Sequence, residues 1–257
     1  MPIPNFRKKL DQEVIISPRQ HLMAEKEEYE NFVAPQAVIF CYEEYIMEYV
    51  QKQYAVESKR FWTCDIHYFS DTDNEVAIVG NFGIGGPASC HLLEILIAAG
   101  VENYVMLGHC GGLQKSNAVG TIVLCEKAIR DEGLSYHYLA DGQFAYPSGE
   151  LTKVLQEELQ KRKAKFVRGS TWTIDSMYRE TIDEIRHYEK EGVATVEMEA
   201  ASMFAVAQFR EVKIAGLFVV SDLVTFEEWK EYLHAKDTTN AIIQTLTVAK
   251  DVLSERP

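Results

Sequence analysis

Short apolar runs constrain this chain more than any other feature. They fall at residues 37–41 (AVIFC), 75–80 (EVAIVG), 104–107, 121–125 and 213–220 (KIAGLFVV). Runs of this length, bounded by glycines or charge, read as strands buried on both faces. Stretches with helical character fill the intervals. Pro87 opens one, at the first-turn position where its missing N–H costs nothing, and Gly100 stops it. Ser148 is placed to cap a second that runs to residue 163, with Leu151, Val154, Leu155 and Leu159 at helical spacing. Others follow at 181–191, 199–209 and 239–253. Strands alternating with helices predict an α/β fold around a largely parallel sheet.

The chain has 257 residues, of which 47% are hydrophobic, enough for one large core. No Pro-, Gly- or Ser-rich linker divides it, so a single domain over 1–257 is expected, with residues 1–36 as a polar, irregular N-terminal arm. A net charge of −13 repels phosphate backbones and argues against nucleic acid as a partner. Five widely spaced cysteines without a C-x-x-C pair read as free thiols packed in the core, not as a disulfide framework or a metal site. No apolar run approaches the ~20 residues of a membrane span, and no apolar signal core opens the sequence. A cytoplasmic protein that does not bind membranes is expected.

Four motifs carry chemistry. Gly83-Ile84-Gly85-Gly86-Pro87 lies between a strand and a helix, where backbone N–H groups can approach an anion. Gly108-His109-Cys110-Gly111-Gly112-Leu113 follows a strand, and the carboxyl ends of strands are where open α/β sheets bind ligands. A tight turn would explain either glycine cluster equally well. Val196-Glu197-Met198-Glu199-Ala200-Ala201 sets two carboxylates among apolar neighbours, and a buried carboxylate must be hydrogen-bonded or functional. Ser221-Asp222 directly follows the run at 213–220, so Asp222 either faces a ligand or caps a turn.

Taken in order from about residue 37 to 222, these motifs resemble the nucleoside phosphorylases. That family includes uridine phosphorylase, purine nucleoside phosphorylase and the adenosylhomocysteine-type nucleosidases. GIGGP, the GLQ ending at Gln114 and VEMEAA carry the likeness; AIRDEGLSYHYL and TWTIDSMYRET are nearest the uridine phosphorylase branch. The resemblance implies a three-layer α/β/α fold with a central mixed sheet, and an enzyme that cleaves the N-glycosidic bond of a nucleoside with phosphate as co-substrate and no other cofactor. It implies a homo-oligomer, dimeric or hexameric. Met198 and Glu199 would hold the ribose, with His21 reaching a neighbour's ribose. Tyr178, Met177 and Glu197 would lie beside the base. Asp222 would protonate or hydrogen-bond N7 of a purine, so a purine nucleoside is the expected substrate.

The sequence departs from the family where phosphate should bind. Met106 occupies the position of an arginine, and His109 that of a hydroxyl residue. Glu43 and Glu44 stand where a Gly-Asp-Pro loop with its own arginine belongs. Each charge-assisted bond to an anion contributes roughly 1.5–3 kcal/mol, so two lost arginines weaken phosphate binding by orders of magnitude. Gly83, His109, Arg60, Glu43 and Glu44 are the candidates for this end of the site. Arg60 would act as an arginine supplied to a neighbouring subunit; Arg168 and Arg179 are further candidates. The alternative is hydrolysis, with Glu43 or Glu44 positioning water. A second alternative is a nucleoside-binding protein without turnover.

Overall fold

A computed structural model describes residues 6, 9–25, 32–224 and 229–255, with backbone alone at 229–231. The described strands are β1 (Ala37–Cys41), β2 (Val56–Phe61), β3 (Cys64–Phe69), β4 (Val76–Gly80), β5 (Asn103–Gly112), β6 (Ile122–Asp131), β7 (Phe144–Ala145), β8 (Phe166–Ile174), β9 (Thr195–Glu197), β10 (Lys213–Val224) and β11 (Trp229–Glu231). The helices are α1 (Pro18–Ala24), α2 (Glu44–Gln53), α3 (Gly86–Ala99), α4 (Gly149–Lys161), α5 (Ile182–Lys190), α6 (Ala200–Arg210) and α7 (Lys236–Ser254).

The strands form one mixed sheet in the order β11-β10-β6-β8-β9-β5-β1-β4-β3-β2. A further parallel pairing of β10 with β5 closes β5, β10, β6, β8 and β9 into a ring, from which β1, β4, β3 and β2 extend as a wing. β1 pairs in parallel with β4 and β5, whereas β10–β6, β5–β9 and the hairpin strands run antiparallel. The sheet is therefore mixed, not largely parallel as strand–helix alternation alone suggests.

Alternation along β1 shows why the fold has three layers. Val38 and Phe40 join a core with Leu92 of α3 and Phe204 of α6, while Ala37, Ile39 and Cys41 join another with Ile46 of α2, Leu155 of α4 and Leu246 of α7. Every β1 side chain is buried, as expected for a strand covered on both faces. The Arg210 guanidinium adds a fork onto Glu94, through Nε at 2.8 Å and Nη2 at 2.9 Å, tying α6 to α3. All five cysteines are buried and free. Among the described residues no helix is long and apolar enough to cross a membrane.

Several local expectations change. The described part of the N-terminal arm is not irregular: Ser17 and Gln20 form a reciprocal capping box, with Pro18 in the first turn, and start α1. Residues 1–5, 7–8 and 26–31 of that arm lie outside the described residues. Ser148 precedes α4 but does not cap it; its hydroxyl accepts from the Ile214 N–H at 2.9 Å, fastening the start of α4 to β10. The segment 42–47 is not a loop throughout, because α2 begins at Glu44.

Candidate active site

The carboxyl ends of three parallel strands, β1, β5 and β10, meet at a cavity of about 810 Å³. This is where α/β sheets bind ligands. The loop after β1 supplies Tyr42 and Glu43, β5 supplies residues 108–111, and β10 supplies Ser221 and Asp222. β9 and the start of α6 add Glu197, Met198 and Glu199; Met177 and Tyr178 stand at the rim, Tyr178 being 90% exposed.

The two glycine motifs do different work. Gly83 and Gly85 adopt left-handed φ values of 97° and 88°, which an L side chain rarely adopts. This turns the Gly85 N–H onto Glu199 Oε1 at 2.6 Å. The loop thus holds a carboxylate of the protein; Ile84 lines the cavity, and Gly83 serves the turn. The second motif is no turn, because β5 continues through Gly112. Its glycines admit close neighbours. A Cβ on Gly111 would sit 2.6 Å from Val224 Cγ2 and 2.9 Å from Val196 Cγ1, and one on Gly108 would sit 3.0 Å from the Tyr42 ring.

Glu197 is engaged within the chain. Its Oε1 accepts from Thr173 Oγ1 at 2.5 Å and Thr171 Oγ1 at 3.4 Å, and its Oε2 accepts from the N–H groups of Glu199 at 2.8 Å and Ala200 at 2.6 Å. A carboxylate on the first N–H groups of α6 complements the helix dipole. Glu197 is thereby the post on which Glu199 is mounted. Both carboxyls are pushed above the usual range by burial, and Glu199 further by the charge of Glu197.

Asp222 stands within a strand, not after one. β10 runs on to Val224, and its register against β5 slips between Val220 and Asp222. Such a bulge re-aims a side chain, and Asp222 lines the cavity with its Oδ1 accepting from Ser221 Oγ at 2.8 Å. Glu180, also in the wall, is pushed up to about 7 by burial, then by the charges of Asp222 and Glu184.

At the opposite end Glu43, not Glu44, enters the wall. Glu43 is the residue before α2, whereas Glu44 opens the helix and is exposed. Glu43 Oε1 lies 2.8 Å from His109 Nδ1, as a charge contact off the in-line hydrogen-bond direction. On the far side of the ring, His109 Nε2 is 3.1 Å from the Tyr45 hydroxyl. Tyr45 had no signal in the sequence, because its contact spans 64 residues. Glu180 was equally silent.

No lysine or arginine is among the described residues that line the cavity. Met106 is fully buried. Arg60 lies on β2 with its Nη1 2.9 Å from Asp65 Oδ1, away from its own chain's cavity. Arg168 pairs with Glu126, and Arg179 closes a short 3-10 turn without lining the cavity. His21 sits on α1, its ring 4.7 Å from that of Trp62 and 6.0 Å from that of His91, and lines a separate cavity. For Arg60 and His21, any part in this chemistry runs through the site of a second copy.

Fold and site together define a three-layer α/β protein that gathers buried carboxylates at strand ends around a small-molecule cavity. The sequence profile of the phosphorylase superfamily matches residues 28–254, and the chain belongs to that superfamily. A guanosine phosphorylase of Halorubrum lacusprofundi is 28% identical over 54% of this chain and 57% of its own length. A uridine phosphorylase of Treponema pallidum is 26% identical over 67% of this chain and 72% of its own. The match thus spans little more than half of the first of these relatives. Among solved structures, uridine phosphorylase of Vibrio fischeri superposes with a TM-score of 0.74 at 22% identity, covering 89% of this chain and 95% of that one. AMP nucleosidase of Bacteroides thetaiotaomicron gives 0.71 at 18% identity, covering 91% and 98%. These likenesses show the fold.

Proposed function

We propose that this protein hydrolyses the N-glycosidic bond of a purine nucleoside. One observation carries the choice of water over phosphate: the described wall holds Glu43, Glu180, Glu197, Glu199 and Asp222 and no lysine or arginine. Phosphate entering there would find no cationic partner among the described residues, whereas a water molecule needs a carboxylate to take its proton. This reverses the order the sequence suggests, in which phosphorolysis comes first. The phosphorylase names of the sequence relatives favour that other reading, and Arg60 from a second copy is the route by which it would operate.

Water oxygen bonds to C1′ of the ribose while the glycosidic bond breaks, its electron pair passing to the base. Glu43 takes the proton released by water, and Asp222 delivers one to N7 of the leaving purine; solvent returns both groups to their starting states. Glu199 bonds the ribose hydroxyls and stabilises the positive sugar more than the ground state. Phe218, Ile185 and Val224 supply the apolar wall for the base. The test is release of free base from a panel of purine and pyrimidine nucleosides in phosphate-free buffer. Purine release that collapses in E43Q supports the proposal; release only on adding phosphate rejects it.

A further inference from the structure

Tyr45, His109 and Glu43 meet in a half-buried contact at the cavity, and Tyr45 was not among the candidate site residues of the sequence. We propose that Tyr45 and His109 are positioning residues for Glu43, so that water is activated by a three-residue relay instead of a lone carboxylate. This rests on the hydrolytic reading above.

The relay joins two separate parts of the chain. Glu43 and Tyr45 flank the start of α2, and His109 projects from β5. The His109 and Glu43 side chains are 7% and 15% exposed, so water does not screen their contact. Both imidazole nitrogens face groups of the protein: Nε2 pairs with the Tyr45 hydroxyl at 3.1 Å, and Nδ1 lies 2.8 Å from Glu43 Oε1, off the in-line hydrogen-bond direction. A neutral imidazole carries one donor and one acceptor. With the Tyr45 hydroxyl donating to Nε2, the ring proton of a neutral His109 stands on Nδ1, on the side of Glu43. That arrangement leaves His109 no nitrogen for substrate. It acts on the reaction only through Glu43.

The anchoring continues outward. Tyr45 stacks with His109 at 6.0 Å between ring centroids, meets the edge of His234 at 5.6 Å, and hydrogen-bonds Thr239 on α7. The other titratable groups that feel Glu43 are Cys41 and Glu199. Neither is cationic, and no lysine or arginine is among the described residues of the wall, so no cation there competes with His109 for Glu43. Glu43 and His109 both line the cavity, so the carboxylate is held at the wall where substrate and water would enter.

A double-mutant cycle on nucleoside hydrolysis tests the relay. H109Q is expected to lower kcat by about 100-fold with KM unmoved, since it disorders the group that takes the proton. Y45F, which deletes one oxygen, should lower kcat by about tenfold. Because Tyr45 works through His109, the Y45F/H109Q double variant should fall no further than H109Q. Losses that multiply, losses confined to KM, or parent-like kcat in Y45F would each overturn the relay. If H109Q fails to fold, Y45F decides alone: a lower kcat at constant KM supports the relay, and any other result rejects it. Should the parent protein release no base without phosphate, the hydrolytic reading fails first and the relay falls with it.

Discussion

Replacing Gly111 by alanine adds one methyl group at a crowded point of the site. The new Cβ would lie 2.6 Å from Val224 Cγ2, 2.9 Å from Val196 Cγ1 and 3.4 Å from Asp222 Oδ2. Carbon atoms pack best at about 3.5–4.0 Å, so β9 or the end of β10 must retreat by about 1 Å. Overpacking of this kind costs about 1–3 kcal/mol. For a chain of this size that corresponds to a Tm lower by about 2–12 °C. The strands that must move carry Glu197 and Asp222, and displacement of a reacting group by about 1 Å costs on the order of 100-fold in rate. Calorimetry and steady-state kinetics on G111A measure both effects. A variant with the parent's Tm and kcat would show that this glycine is incidental and that the strands here are not close-packed around the site.

Three more variants probe the site. E199Q keeps an oxygen for the Gly85 N–H but loses the charge, so kcat should fall by about 100-fold or more. Its stability should move the other way. Glu199 is raised in the folded state, so its own contribution to stability is full below the ordinary glutamate range and is lost as pH climbs from there through the raised value. E199Q escapes that loss, and Tm measured from pH 5 to 9 should fall less steeply in the variant than in the parent; parallel curves would contradict the assignment. D222N should lower kcat for purine nucleosides by about 10²–10⁴-fold, because an amide cannot deliver the proton to N7, and equal rates would make Asp222 structural. R60A should leave kcat and phosphate insensitivity unchanged; a large loss would place Arg60 in a second copy's site.

The fold was legible where burial is two-sided. β1, β4 and the first part of β10 announce themselves as apolar runs because helices cover both faces, and the runs at 37–41 and 75–80 match strands to within a residue. The β2–β3 hairpin did not announce itself, since β2 (VESKRF) is largely exposed and shows no apolar run. The GHCGG segment misled in an instructive way. Glycines there answer lateral crowding by Val196, Val220 and Val224, which no local pattern encodes, so they mimic a turn. The candidate site was legible in part: VEMEAA and Asp222 do line one cavity. The choice between Glu43 and Glu44 depends on which residue precedes α2, and Tyr45, Glu180 and the absence of arginine from the described wall emerge only in three dimensions.

The sugar product formed in saturating phosphate tests the central claim most directly. A purine nucleoside cleaved by this protein at high phosphate should yield free ribose as the sole sugar, at a rate that does not change as phosphate is titrated in. Ribose 1-phosphate, formed at a rate that saturates with phosphate, would contradict hydrolysis and return the chain to phosphorolysis.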